Sequence, residues 1–304
     1  MILYNLVAFG SQPLWGWIID QRAIFREGMT AGILLIGVGA AAAVLAPVVA
    51  ILFLGCGNAL FHVGAGALVY EAAPGRASSQ GLFVAPGGLG LLVGIMLGSR
   101  GAVHPLWLVP LLIGTALFLY RLVPVAETAA LPEQKRVEGW WMLLTVLVLL
   151  LSVVAIRSFT GFALPIPWKG VGNGVIFLAL ASFAGKASGG FLAERYGWRP
   201  LCGTMLIIAA VMGVGHNDYL LAACIGVFCL QTTTGVTLAG VQTLFPGRPA
   251  FSFGLPCIAL LIGALPFLLP APVGRIHPSL VAVISFCGMI AITGALTIRD
   301  KGVM

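Results

Sequence analysis

Polar positions are so sparse along this chain that its apolar stretches define it. Eleven of them, at about 2–19, 28–46, 48–70, 81–99, 105–123, 140–163, 171–193, 200–215, 218–242, 251–270 and 279–298, carry few charged residues. Roughly 17–25 apolar residues cross the hydrocarbon core of a bilayer as a helix, so each stretch predicts a membrane-spanning helix. Strands would alternate apolar and polar positions, whereas Met142 to Ile156 is apolar on every face. Little more than Pro47 separates the second stretch from the third. The fold class this predicts is an all-α polytopic membrane protein.

Composition agrees. Hydrophobic residues make up 60% of the chain and charged residues 8%, with a mean hydropathy of +1.08. Soluble domains carry about 25% charged residues, so this stock cannot build a water-facing surface. That excludes most soluble enzymes and nucleic-acid-binding proteins, despite a net charge of +7. The basic residues instead fall mainly in alternate loops. Arg22, Arg26, Arg76, Arg121, Lys135, Arg136, Arg195, Arg199, Arg248, Arg299 and Lys301 collect on one side, against Arg100, Lys169 and Arg275 on the other. Because cytoplasmic loops are the basic ones, the C-terminus is expected inside and Met1 outside, in the cytoplasmic membrane of a bacterium. The six cysteines form no CxxC pair and the four histidines are scattered, so no disulfide, metal site or cofactor is expected. No cleavable signal peptide is visible.

The two halves of the chain resemble each other. Phe9-Gly-Ser-Gln-Pro-Leu-Trp-Gly16-Trp-Ile-Ile-Asp20 aligns with Phe183-Ala-Gly-Lys-Ala-Ser-Gly-Gly190-Phe-Leu-Ala-Glu194 at an offset of 174, and Pro74-Gly-Arg76 aligns with Pro246-Gly-Arg248 at 172. Both copies keep one orientation, which makes this a parallel repeat about the membrane normal. Glu127 to Glu138 is the only long polar stretch and reads as a cytoplasmic linker. The expected organisation is an N-terminal bundle of five helices at 1–124, a linker at 125–139 and a C-terminal bundle of six helices at 140–304. The helix at 140–163 has no counterpart in the first half, so a twelve-helix fold without its first helix is expected.

Gly16-xxx-Asp20-Gln-Arg22 and Gly190-xxx-Glu194-Arg195-Tyr-Gly197-Trp-Arg199 resemble the cytoplasmic signature loop of the major facilitator superfamily. Glycine permits a close helix crossing, and an acid at a helix end can pair with arginines and helix N-termini. The resemblance implies a conformational, gating role for Asp20, Arg22, Glu194, Arg195 and Arg199. The first copy departs from the pattern, with Ala23-Ile24-Phe25 replacing the glycine-bearing part. Gly57-Asn-Ala-Leu-Phe-His62-Val-Gly64, Gly81-Leu-Phe-Val-Ala-Pro-Gly87-Gly88 and Arg157-Ser-Phe-Thr-Gly161 are similar to the fosmidomycin-resistance branch of that superfamily. The fold so implied is the major facilitator fold, and the activity secondary transport by alternating access.

Ionisable residues within a membrane cost at least about 2.5–3.5 kcal/mol at a helix centre on insertion scales, so each needs an explanation. Lys186 stands eight residues before Glu194, about 12 Å along a helix. It reads either as a snorkelling ammonium or as an anion contact. Arg157 could hold a carboxylate or phosphate through its forked donors, or could lie among lipid headgroups. Two cations without an acid at comparable depth favour a small anionic substrate. Gln12, the repeat mate of Lys186, together with Asn58, His62 and Thr234, completes the expected binding set. His62 could couple transport to protons, with Glu71 the best carboxylate for that task and a cytoplasmic ion pair its alternative. No Walker loop, HExxH or GxSxG is present, so no enzyme activity is expected. The Gly87-Gly88-Leu-Gly90 cluster reads as close helix packing. A monomer in the bilayer is expected, with no nucleic-acid partner. Two readings compete: a drug-efflux antiporter, which would need a membrane-embedded acid, and a non-transporting or inactive member of the fold.

Overall fold

The computed structural model describes residues 2–123, 139–163, 173–215, 219–269 and 277–302. The expected linker as far as residue 138 and the loop residues Lys169 and Arg275 lie outside them. The described residues form eleven helical segments at the places the apolar pattern marks. We number them α1 (2–22), α2 (Phe25–Ala42), α3 (Pro47–Ala72), α4 (Ala77–Ser99), α5 (Pro105–Leu122), α6 (Trp140–Ala163), α7 (Gly174–Tyr196), α8 (Trp198–Gly215), α9 (Leu220–Thr243), α10 (Pro249–Leu268) and α11 (Pro278–Gly302). Among the described residues, nine helices are long and apolar enough to cross a bilayer, so the chain is a multi-pass membrane protein.

α1 is the helix that departs most from an unbroken span. It runs as Ile2–Asn5, a π-helical turn at Leu6–Gly10, and then Gln12–Arg22. Pro13 has no N–H to give and interrupts the helical ladder. The Gln12 amide nitrogen instead donates to the Ala8 carbonyl at 2.9 Å, and the Ser11 hydroxyl donates to the Val7 carbonyl at 2.5 Å. Side chains thus repair a backbone that proline and the wide turn leave short of donors.

The chain packs as two compact units. The first comprises Met1–Pro74, Ile95–Gln134 and Phe245–Leu261; the second comprises Gly75–Gly94, Lys135–Leu244 and Ile262–Met304. In the first unit, α2 and α3 touch backbone to backbone. A methyl group on Gly32 would fall 2.3 Å from the Phe61 nitrogen, and one on Gly57 would fall 2.7 Å from the Gly32 carbonyl oxygen. In the second unit, α7 meets α9 in the same way: a Cβ on Gly189 would lie 2.1 Å from the Thr232 carbonyl oxygen. Lipid tails are as apolar as leucine, so close van der Waals approach rather than water exclusion holds such helices together. The Gly87 and Gly90 cluster does not take part, since a Cβ at either would meet nothing within 4 Å. The expectation of close packing there is corrected accordingly: none of the residues Pro86–Ser99 is buried, and a Cβ on Gly88 would come no nearer than 4.0 Å to Ser182 Oγ.

Gly189→Ala is therefore expected to destabilise the protein by about 1–3 kcal/mol, the usual cost of forcing a group into a filled space. Gly90→Ala should be neutral or stabilising by a few tenths, because alanine is the better helix former. Thermal unfolding in one detergent would compare them, and equal melting points would contradict this packing account.

Candidate binding and gating sites

Each compact unit contains one carboxylate set against the start of another helix. In the first unit, Asp20 lies one residue beyond the apolar stretch 2–19. The backbone N–H groups of Ala250 and Phe251, at the start of α10, donate to its two oxygens at 3.0 and 2.8 Å. In the second unit, the N–H and hydroxyl of Ser78, at the start of α4, donate to Glu194 Oε1 at 2.9 and 2.7 Å. The repeat offsets turn one arrangement into the other: 20 plus 174 is 194, and 250 minus 172 is 78. The first turn of a helix has N–H groups without intrahelical acceptors and a partial positive charge, so a carboxylate satisfies both.

Glycine lets the carboxylate come this near. A Cβ on Gly16 would lie 2.4 Å from the Ala250 carbonyl oxygen, and one on Gly190 would lie 2.3 Å from that of Ala77. The turn after each acid also repeats, with Ala23 at φ 51° and Gly197 at φ 91°. Alanine in the left-handed region carries a cost that glycine does not. This is where the first copy departs from the glycine-bearing pattern: both residues have a positive φ, but Ala23 has ψ 35° and Gly197 has ψ 141°.

The arginines are shared out differently from the sequence expectation. Glu194 Oε2 pairs with Arg76 at 3.5 Å, while Arg199 pairs with Asp300 at 2.7 Å. Arg195 lies over the Tyr196 ring at 5.6 Å, and Arg22 is exposed at its helix end. Arg248, the repeat mate of Arg76, acts on Asp20 electrostatically. Arg76, Ser78 and Arg248 join the two carboxylates without having been part of the expected set, and the matching Pro-Gly-Arg triplets are the sequence signal for them.

The expected substrate residues divide between the units. Gln12, Asn58 and His62 are in the first, where His62 stacks on Phe253 with ring centroids 6.4 Å apart and planes at 10°. Asn58 is half-buried on the same face of α3, and one oxygen of Glu71, Oε2, is buried with no hydrogen-bond partner among the described residues. Arg157, Lys186 and Thr234 are in the second. Arg157, 6% exposed on α6, donates from Nη1 to the hydroxyls of Thr233 and Thr237 on α9, at 3.3 Å each. Those hydroxyls give their own protons back along α9, Thr233 to the Leu230 carbonyl and Thr237 to that of Thr233. They therefore present lone pairs to the guanidinium. Thr234 donates to the Gln231 carbonyl at 2.7 Å.

Lys186 on α7 lies within electrostatic reach of Arg157. Neither cation has a carboxylate within ion-pairing distance among the described residues, and the ion pairs found there lie elsewhere. Two neighbouring cations in an apolar unit repel each other and lack the counter-charge that burial demands. An anion placed between them would relieve both costs.

No family model matches the sequence, and no curated protein matches it. Solved structures do. The fold is that of major facilitator superfamily transporters. The Escherichia coli fucose:proton symporter FucP superposes with a TM-score of 0.67 at 12% identity in a single-site variant, covering 99% of this chain and 89% of that one. FucP in its outward conformation gives 0.68 at 13%, covering 97% and 88%. A bacterial homologue of the iron transporter ferroportin, in an outward-facing state, gives 0.56 at 19%, covering 99% and 88%.

Burial pushes the Asp20 carboxyl up to about 6, outweighing the two N–H donors and Arg248, which pull it down. A carboxyl that holds its proton more tightly when packed than in water, where it titrates near 3.8, favours packing as pH falls from about 6 towards 4. Hydrogen-exchange protection of the Ala250 and Phe251 amides, corrected for intrinsic rates, should therefore rise between pH 7 and pH 5. In Asp20→Asn it should not change with pH. A wild-type profile that is flat or reversed would contradict the assignment.

Proposed function

We propose that this protein is a secondary transporter that carries a small organic anion across the cytoplasmic membrane of a bacterium by alternating access, as a monomer with its C-terminus in the cytoplasm. The observation that carries the reading is Arg157, 6% exposed and held by two threonine hydroxyls, with no carboxylate within ion-pairing distance of it or of Lys186 among the described residues. The guanidinium offers a planar fork for a carboxylate or phosphonate, and the ammonium adds a second, more mobile donor. Asp20 and Glu194 serve as gates: each releases or takes up a helix N-terminus as the repeat halves, 1–124 and 140–304, rock about a midplane site. Arg22, Arg195 and Arg199 complete the cytoplasmic loops around them. One structural neighbour couples fucose to protons. Here His62, with Glu71, is the candidate proton carrier, because an imidazole changes charge near neutral pH. Gln12, Asn58 and Thr234 supply neutral hydrogen-bonding groups to the substrate.

A thermal-shift screen with small carboxylates, phosphonates and phosphate esters tests the reading. A ligand that binds only the folded state raises the melting point, by about 2.7 kcal/mol of stability at a hundredfold excess over Kd. One anion class should stabilise the wild type and fail to stabilise Arg157→Gln and Lys186→Gln. Stabilisation by cations or neutral compounds alone would remove the basis for an anion site. In proteoliposomes, His62→Gln should lose the pH dependence of uptake, and unchanged dependence would remove His62 from the coupling step.

A further inference from the structure

One fully buried polar side chain in the second unit is left without a structural task. Gln80 lies on α4, one turn inside the helix start that Glu194 caps. It is 0% exposed, and neither its amide nitrogen nor its amide oxygen has a hydrogen-bond partner among the described residues. A primary amide can give two hydrogen bonds and accept two, and leaving all of them unmade in a buried place is costly. An apolar side chain of similar length would fill the same space without that cost. Glutamine here therefore works against stability, a pattern that belongs to functional sites rather than to packing.

The neighbouring residue shows where this amide stands. A Cβ on Gly81 would lie 2.4 Å from the Lys186 carbonyl oxygen and 3.6 Å from the Gly235 Cα. α4 is thus pressed at residue 81 against α7 beside Lys186, and against α9 next to Thr234. The same two helices carry Lys186 and the threonines that receive Arg157. Gln80 therefore stands one residue from the place where α4 meets α7 at Lys186, in the same compact unit.

We infer that Gln80 is a binding residue of the anion site, whose amide N–H groups donate to the oxygens of the bound anion while Arg157 and Lys186 supply the charge. The inference rests on the anion-transport reading and adds to it a neutral donor that selects for oxyanions. Carboxylates and phosphonates present several acceptor oxygens in fixed directions, whereas a halide accepts the same N–H groups as a single sphere without directional preference.

The test uses the full chain with Gln80→Met, near in size and apolar, and Gln80→Glu, near in shape and acidic. Melting points without ligand are measured first, followed by titration calorimetry with methylphosphonate, succinate and inorganic phosphate. Gln80→Met is expected to melt at or above the wild-type temperature and to bind the anion that the wild type binds about tenfold or more weakly. Gln80→Glu should stay folded and lose binding altogether, because its carboxylate occupies the place of the anion. A lower melting point for Gln80→Met with wild-type affinity would overturn the inference, since Gln80 would then be holding the fold. A parallel loss of stability and affinity in both variants would overturn it as well. Absence of binding by the wild type itself would overturn the anion reading before any Gln80 variant is compared.

Discussion

A carboxylate held against the open end of another helix is the interaction around which this molecule is arranged. The first N–H groups of a helix have no acceptor within it, and an acid carried on a neighbouring helix satisfies them with both hydrogen bonds and charge. Asp20 does this for α10 and Glu194 does it for α4. Each contact joins a helix from one half of the sequence to a helix from the other half. The rest of the local structure follows from making that contact short: glycine at 16 and 190, a left-handed residue at 23 and 197, and an arginine two residues before each capped serine or alanine. Both contacts are part-buried, and each satisfies its helix end with two hydrogen bonds.

The cation pair has the opposite character. Arg157 is deeply placed and held by threonine hydroxyls, neutral groups that orient a guanidinium without neutralising it. A protein that needed only stability would put a carboxylate there, or leucine. Leaving the charge unbalanced is the physical basis of the proposed anion site: without a counter-charge the buried cation is costly, and with one it is favourable. The proposal for Gln80 applies the same logic to a buried amide with no partners among the described residues.

Much of the architecture was readable in the sequence. Helix positions followed from the apolar stretches because a bilayer forces length and composition together. The parallel repeat followed from two short matches at offsets of 174 and 172, and the structure gives those matches one physical meaning, a capped helix in each unit. Less was readable where the outcome depends on which backbone lies opposite. The glycines at 87 and 90 look like a packing motif in one dimension, yet they face open space, while single glycines at 16, 57 and 189 lie against another backbone. Arg199 follows the acid in sequence but reaches Asp300, because helical geometry brings α11 closer. Gln80 gave no signal at all: its unusual state is its burial without partners, and that exists only in three dimensions.

The most direct test of the central claim is titration calorimetry of the purified protein with a charged ligand and its uncharged counterpart, succinate against succinamide and methylphosphonate against its neutral diester, across a series of salt concentrations. The account predicts saturable binding of an anion, no binding of its neutral counterpart, and affinity that weakens as salt screens the cations. Equal affinity for the charged and neutral partners, or binding that does not respond to salt, would contradict it.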